Sequence, residues 1–187
     1  LIVTEKDLVV GTHGRSIYIL DDISPIREMY KVRKENPHLY DVYFATRRVQ
    51  DAEIKYYLPS KPEKLLIKII DSKNRIVLEK KGVLDPEPDN DSSSWFGADN
   101  KSPLMNSGLN SYKWNLRYQG ARDFEGMIIW SAKPTLGPIA PPGEYKVQLT
   151  VDDKIFESLF EVRKDPRIDV SDSIINKQFN FAMDIMM

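Results

Sequence analysis

The stretch that decides the fold is Pro141-Pro142-Gly143-Glu144-Tyr145-Lys146-Val147-Gln148-Leu149-Thr150-Val151-Asp152-Asp153. Four of its apolar side chains alternate with polar ones: Tyr145, Val147, Leu149 and Val151. This alternation is the pattern of a β-strand that buries one face. Pro-Pro-Gly before it and Asp-Asp after it are turn signals. The stretch therefore predicts a half-buried strand and a tight turn into a second strand, from Ile155 to Val162.

The same alternation recurs in several short runs nearer the N-terminus. Inward side chains are expected at Ile54, Tyr56 and Leu58, at Leu65, Ile67 and Ile69, and at Tyr112, Trp114, Leu116 and Tyr118. Asp71-Ser72-Lys73-Asn74 is a turn signal, because Asp favours the first turn position and Asn tolerates the left-handed region. Short strands at this spacing, with no helical pattern between them, predict an antiparallel β-sandwich with Trp114 in its core.

We expect four consecutive segments in the chain. Residues 1–22 contain two β-branched runs separated by His13-Gly14-Arg15, which predicts a hairpin. Residues 23–50 lack glycine and form a linker that packs on the sandwich. Residues 51–164 form the sandwich, and residues 165–187 begin a helical segment.

The linker and the tail carry their own apolar anchors. Those of the linker are Leu39, Tyr40, Tyr43 and Phe44, and a short strand is expected from Leu39 to Phe44. In the tail, residues at helical spacing follow a Ser171 cap: Ile175, Phe179, Met183 and Met186. No glycine or proline stop follows them, so we expect the helical segment to be truncated here.

Composition excludes several classes of protein. Among 187 residues, 27 are basic and 28 acidic, and a net charge of -1 argues against a nucleic-acid partner. The absence of cysteine excludes disulfide scaffolds, thiolate metal sites and cysteine nucleophiles. Two histidines, His13 and His38, leave little room for histidine chemistry, and no apolar run is long enough to cross a bilayer. We therefore expect a non-catalytic chain with no cofactor, no metal and no membrane span.

A few local features invite a chemical interpretation. Thr12-His13-Gly14-Arg15-Ser16 lacks the lysine and the following helix of a phosphate loop, so a hairpin turn is favoured. The acidic stretch from Asp85 to Asp91 could bind calcium, but it lacks the required spacing and contains two prolines, which favours a solvated loop. Trp95 and Trp130 fall in irregular segments. They are the candidate contacts for a sugar or a protein partner, and the alternative is that they cap the open end of the sandwich.

Two groups of motifs resemble a known family. The segment from Asp7 to Arg27, Asp-Leu-Val-Val-Gly-Thr-His-Gly-Arg-Ser-Ile-Tyr-Ile-Leu-Asp-Asp-Ile-Ser-Pro-Ile-Arg, resembles the last blade segment of sortilin-type, bacterial-neuraminidase-repeat β-propeller proteins. The region after it resembles the domain that trails this propeller. Its most specific match is Gly108-Leu109-Asn110-Ser111-Tyr112-Lys113-Trp114-Asn115-Leu116-Arg117-Tyr118, with further matches at Pro142-Gly143-Glu144-Tyr145-Lys146-Val147 and Lys164-Asp165-Pro166-Arg167. The neuraminidase signature Ser-x-Asp-x-Gly-x-x-Trp does not occur.

The resemblance implies an all-β fold: an immunoglobulin-like antiparallel β-sandwich, similar to fibronectin type III domains and the flagellar hook-capping protein. It also implies a secreted, periplasmic or cell-surface bacterial protein whose own N-terminal propeller is the partner. We expect a non-catalytic accessory or interaction domain. Two alternatives stay open: a carbohydrate-binding module that uses Trp95 and Trp130, and part of a glycosyl hydrolase whose active site lies in the propeller.

Overall fold

The computed structural model describes residues 1–85, 101–120 and 136–186. The strands in this part of the chain are β1 (Ile2–Val3), β2 (Leu8–Gly11), β3 (Ile17–Leu20), β4 (His38–Leu39), β5 (Ala45–Thr46), β6 (Ala52–Leu58), β7 (Leu65–Asp71), β8 (Ile76–Lys81), β9 (Gly108–Trp114), β10 (Arg117–Gln119), β11 (Leu136–Ile139), β12 (Gly143–Val151) and β13 (Lys154–Arg163). The helices are α1 (Ser24–Arg27) and α2 (Asp172–Met186). The protein is all-β with one longer helix at its end.

Two sheets face each other to form a β-sandwich. One has the strand order β5-β13-β12-β7-β8 and the other has the order β4-β6-β9. The run β13-β12-β7-β8 matches the G-F-C-C′ order of an immunoglobulin-type sheet, and β4-β6-β9 matches its opposite A-B-E sheet. The pairing is antiparallel except between β13 and β5. Strands β12 and β13 pair without a slip from Gly143 opposite Val162 to Val151 opposite Lys154, which confirms the predicted strand, turn and return strand.

The predicted period-two alternation is confirmed by the burial pattern. The inward residues of β6, β7, β9 and β12 are all buried, and Trp114 is fully buried. Its indole ring lies 5.6 Å from the ring of Tyr145 and 6.2 Å from that of Phe160, so it bridges the two sheets. Aromatic contacts of this kind dominate the energetics of a small core.

The chain from Tyr112 to Tyr118 differs from one continuous strand. All four alternating side chains point inward, but β9 pairs with β6 whereas β10 pairs with β11. Leu116 between them has a φ of 57°, and the Asn115 side chain accepts a hydrogen bond from the Arg117 amide at 3.1 Å. This kink turns the chain out of the β4-β6-β9 sheet while the Trp114 indole donates to the Arg117 carbonyl at 2.9 Å.

The linker supplies edge strands to both sheets. Strand β4 pairs with β6, and β5 pairs in parallel with β13. The predicted strand from Leu39 to Phe44 is therefore wrong beyond Leu39. The physical reason is that the chain crosses from one sheet to the other there, with the Val42 amide bonded to the Ser158 hydroxyl at 3.1 Å instead of a neighbouring strand.

Several of the predicted anchors of the linker and tail are buried or packed on the sandwich. Leu39 and Tyr40 are buried, and Phe44 lies under the Arg163 guanidinium at 3.8 Å from its ring centre. In α2, Ile175 and Phe179 are buried against the sandwich. Neither helix in the described ranges has the length and apolar character that crossing a bilayer requires.

Candidate interaction surface

The N-terminal strands form a separate sheet with the order β1-β2-β3. Side chains that lie directly opposite each other in antiparallel strands share a face. The register therefore places one row of Ile2, Val9 and Ile19 on one face, and rows of Val3, Leu8 and Leu20 and of Val10 and Tyr18 on the other. Both faces of this sheet are apolar, so we name it the two-faced sheet.

The two-faced sheet is largely open to solvent. The four side chains of β3 are between 48% and 69% exposed, and both side chains of β1 are exposed as well. Single exposed apolar residues are common, but a contiguous apolar patch marks a site of interaction. Strands with apolar residues on both faces are typical of sheets that are covered on both sides.

A set of backbone contacts fixes the two-faced sheet to the chain that follows it. The Arg27 guanidinium donates to the carbonyl oxygens of Thr4, at 3.0 Å, and Glu5, at 2.8 Å. The Asp22 amide donates to the Asp7 carboxylate at 3.0 Å, and the Ile23 amide donates to the Lys6 carbonyl at 2.8 Å. Helix α1 and the two residues before it are therefore bonded to the loop between β1 and β2.

A nearly buried ion pair connects this junction to the sandwich. Lys55 on β6 places its ammonium 3.0 Å from the Asp22 carboxylate and donates to the Asp22 carbonyl at 3.0 Å. Both side chains are at most 13% exposed. Removing one partner of such a pair leaves a buried charge uncompensated, so the contact strongly favours one position of the linker.

Glu28 holds the next part of the linker. Its buried carboxylate accepts a hydrogen bond from the Asp41 amide at 2.9 Å and lies 3.3 Å from the His38 ring nitrogen. Lys31 lies 3.6 Å from the same carboxylate. These contacts raise the pKa of Lys31, because the Glu28 and Asp41 charges favour its protonated form. We call residues 21–50, that is, the linker and the two aspartates before it, the strap. Its charged side chains form the contacts that hold it in one position.

A buried polar network lies at the start of β12 and the end of β7. The Asp71 carboxylate accepts hydrogen bonds from the Arg75 guanidinium, at 2.8 Å, and from the Tyr118 hydroxyl, at 3.1 Å. Burial acts to raise the pKa of Asp71, but hydrogen bonds from the Arg75 backbone and side chain and from its other donors outweigh it and hold the pKa below its ordinary value. Burial raises the pKa of Tyr118 to about 12. The network therefore keeps a carboxylate ionised and a phenol neutral.

Tyr145 completes this end of the sandwich. It lies near the start of β12, and its hydroxyl donates to the Pro141 carbonyl at 2.9 Å. A tyrosine that bonds back a few residues upstream at this position is the tyrosine corner of immunoglobulin-like sandwiches. Burial raises the pKa of Tyr145 above its ordinary value. Together with Asp71 and Tyr118, this residue holds the end of the sandwich and presents no activated acid, base or nucleophile.

A shallow groove opens at the opposite end of β12. It has a volume of about 240 Å³ and is lined by Pro37, Pro59, Pro62 and the turn at Asp152. The Asp152 carboxylate is already used, because it accepts hydrogen bonds from the amides of Glu63 and Lys64 at 2.9 Å and 3.0 Å. Ligand pockets generally exceed about 300 Å³ and carry convergent polar groups. We therefore interpret the groove as the junction between neighbouring loops rather than as a ligand pocket.

Some of the residues that the sequence singles out for chemistry or binding fall outside the described part of the chain. Trp95 and Trp130 lie outside the described residues, as does the acidic stretch apart from Asp85. In the ranges that the structure describes, no three carboxylate or histidine side chains come together as metal ligands. His13 and Ser16 lie in the exposed hairpin turn, where Gly14 takes a φ of 78°.

The apolar character of the two-faced sheet has a signal in the sequence, which the prediction of a hairpin alone does not use. Leu8-Val9-Val10 and Ile17-Tyr18-Ile19-Leu20 contain no polar alternation. Such continuous apolar runs are typical of strands buried on both faces rather than one. The Asp22–Lys55 pair, by contrast, joins residues far apart in the chain and has no local signal.

The fold and the surface together define an all-β protein: an immunoglobulin-like sandwich that presents a two-faced sheet on a strap. No known family model matches the sequence, and no curated protein matches it. Among solved structures, the crystal structure of CopC from Methylosinus trichosporium OB3b is similar, with a TM-score of 0.35 and 14% sequence identity. The match covers 73% of this chain and 100% of that chain. The fold assignment rests on the strand order and pairing described above.

Proposed function

We propose that this chain is a non-catalytic accessory domain that follows a β-propeller in a secreted, periplasmic or cell-surface protein. In this proposal the two-faced sheet belongs to the last propeller blade, and the strap sets the position of the sandwich beside the propeller. The partner is the propeller of the same parent chain. The proposal joins the resemblance in the segment from Asp7 to Arg27 with the geometry of β1, β2 and β3.

The observation that carries the proposal is the apolar character of both faces of the two-faced sheet. The blades of a propeller are arranged radially, so each blade has a neighbouring sheet on both sides. Contiguous apolar residues left exposed on both faces of one sheet invite aggregation. A position between two other sheets accounts for Ile19 on one face and Tyr18 on the other.

The charged residues of the strap and of the polar end of the sandwich support a structural role for this chain. The carboxylates of Asp22, Glu28 and Asp71 each bind a cation or backbone amides that fix the fold. The strap is thereby held in one path, which suits a connector that transmits a fixed orientation. In some proteins, buried polar networks of this kind specify one arrangement of the chain rather than add stability.

The test compares amide hydrogen exchange of β2 and β3 in the 187-residue chain and in the full-length parent protein. We expect exchange to be slower by at least about 100-fold in the parent, because neighbouring sheets exclude water and oppose local opening. Tyr18→Lys and Ile19→Lys, one for each face, should each restore fast exchange in the parent.

A matched control is Ile155→Lys on β13, where the native side chain is similarly exposed on the outer face of the sandwich. This variant should leave the exchange of β2 and β3 unchanged. Equal exchange of these strands in the two contexts, with no effect of the variants, contradicts the proposal. Repeated four-stranded blades in the parent coding sequence ahead of Leu1 are the simplest independent check.

A further inference from the structure

Helix α2 is apolar on two sides. Ile175 and Phe179 are buried against the sandwich, and the ring of Phe179 lies 4.7 Å from that of Tyr118. A second stripe, formed by Ile174, Phe181 and Ile185, is between 58% and 69% exposed. At 3.6 residues per turn this outer stripe lies about 120° around the helix from the docked side. The sandwich therefore does not cover it.

The outer stripe has the spacing of a helix-pairing seam. Ile174, Gln178, Phe181 and Ile185 are separated by four, three and four residues, the alternation of d and a positions in a coiled coil. The spacing is symmetric about its midpoint. A second helix that runs antiparallel therefore places Ile174 opposite Ile185 and Gln178 opposite Phe181, and a two-fold axis repeats both contacts.

Charges beside the seam are complementary to those of an antiparallel copy. Lys177 and Asp184 flank the seam on its solvent side, both are exposed, and neither has an ion-pair partner among the described residues. In the antiparallel arrangement, Lys177 of one copy and Asp184 of the other are offset by only about 3 Å along the axis. A lysine side chain spans this offset easily. A parallel pair instead places Lys177 beside the position of Ala182, which offers no acid.

We propose that α2 pairs with α2 of a second copy of this chain as an antiparallel, two-fold symmetric helix pair. The pairing covers the outer stripe of both copies and forms two Lys177–Asp184 ion pairs. Gln178 in the seam weakens the contact and fixes its register, as polar seam residues do. Because two short helices bury a small area, the dimer dissociates in roughly the micromolar range.

The first test is sedimentation velocity of the 187-residue chain over a concentration series. We expect a concentration-dependent dimer whose dissociation constant rises by at least about tenfold when Phe181 and Ile185 are both replaced by serine. The matched control replaces Ile155 and Leu159 by serine, since these are similarly exposed apolar residues on the outer face of β13. The control should leave the dissociation constant unchanged.

The second test exchanges the charges. Lys177→Asp and Asp184→Lys should each weaken self-association by about tenfold, because both ion pairs become pairs of like charge. An equimolar mixture of these two variants should form a heterodimer with wild-type affinity, because both ion pairs are restored. Variants whose helix was disrupted would not recover affinity on mixing. A chain that stays monomeric, or a mixture that fails to pair, overturns the proposal. So does a dimer that survives the serine variant but is lost with Tyr18→Lys and Ile19→Lys in β3.

Discussion

The sandwich and the two-faced sheet use similar residues with opposite results. In the sandwich, strands such as β6 and β12 bury every second side chain, and the two sheets cover each other around Trp114. In the two-faced sheet, apolar side chains occupy both faces, and those of β1 and β3 remain exposed. Burial of apolar area stabilises by about 25 cal/mol per Å² only where water is removed. The comparison separates residues that stabilise this chain from residues that are placed for a partner.

The largest change in the free energy of unfolding is expected for a substitution at Trp114. Trp114→Ala should lower the free energy of unfolding by about 4 kcal/mol, because it removes the aromatic contacts between the sheets and leaves a cavity. Chemical denaturation followed by tyrosine and tryptophan fluorescence and by circular dichroism measures this change. Leu159→Ala, on the outer face of the same sandwich, should change it by less than about 0.5 kcal/mol. Similar costs for the two variants would contradict the assignment of the core.

The next effect concerns the connection between the two regions. Lys55→Met should cost about 3 kcal/mol, because the Asp22 carboxylate stays buried without its cation. Part of the loss should return in the double variant with Asp22→Asn. Denaturation and exchange of the Tyr40 amide, which donates to the Lys55 carbonyl at 3.1 Å, report on the change. Lys68→Met, which breaks the more exposed pair with Glu79 at 3.2 Å, is the matched control and should cost less than about 0.5 kcal/mol.

A smaller effect is expected for the polar end of the sandwich. Asp71→Asn should cost about 2 kcal/mol near neutral pH, because the hydrogen bonds from Arg75 and Tyr118 lose their charged acceptor. The folded-state pKa of Asp71 is lowered, so its contribution is present above the unfolded-state pKa of about 4 and is lost as pH falls through the folded-state value. Denaturation curves at several pH values should therefore converge for the two proteins in acid. A constant difference down to pH 2 would rule out this linkage, while Glu144→Gln at an exposed position of β12 should show little difference at any pH.

The smallest effect is expected in the two-faced sheet itself. Tyr18→Thr and Ile19→Thr should each change the free energy of unfolding of the isolated chain by less than about 0.5 kcal/mol, because no partner covers these side chains. Their solubility should rise, which light scattering measures. A cost comparable to that of Trp114→Ala would mean that the sheet is covered within this chain and would remove the contrast between the two regions.

Local patterns in the sequence account for most of the sandwich but not for its connections. Alternation placed Tyr56, Ile67 and Val147 inward correctly, because a strand's period of two depends only on neighbouring residues. The parallel pairing of Ala45 with Val162 and the buried ion pair of Asp22 with Lys55 join distant segments. No residue near either partner signals such a contact. The two-faced sheet is predictable in part. Its apolar runs are visible in the sequence, but their exposure depends on the whole fold.

Strands β4 and β5 also bear on how the protein is made. They lie at the sheet edges next to β6 and β13 and pair with two residues of each strand, so at these positions the edge backbone groups are not open to another chain. Because the strap is synthesised before the sandwich strands, it leaves the ribosome first and is present when those strands emerge. Part of two sheet edges of the sandwich is therefore covered as soon as the sheets form. A fragment that starts at residue 51 would lack this protection.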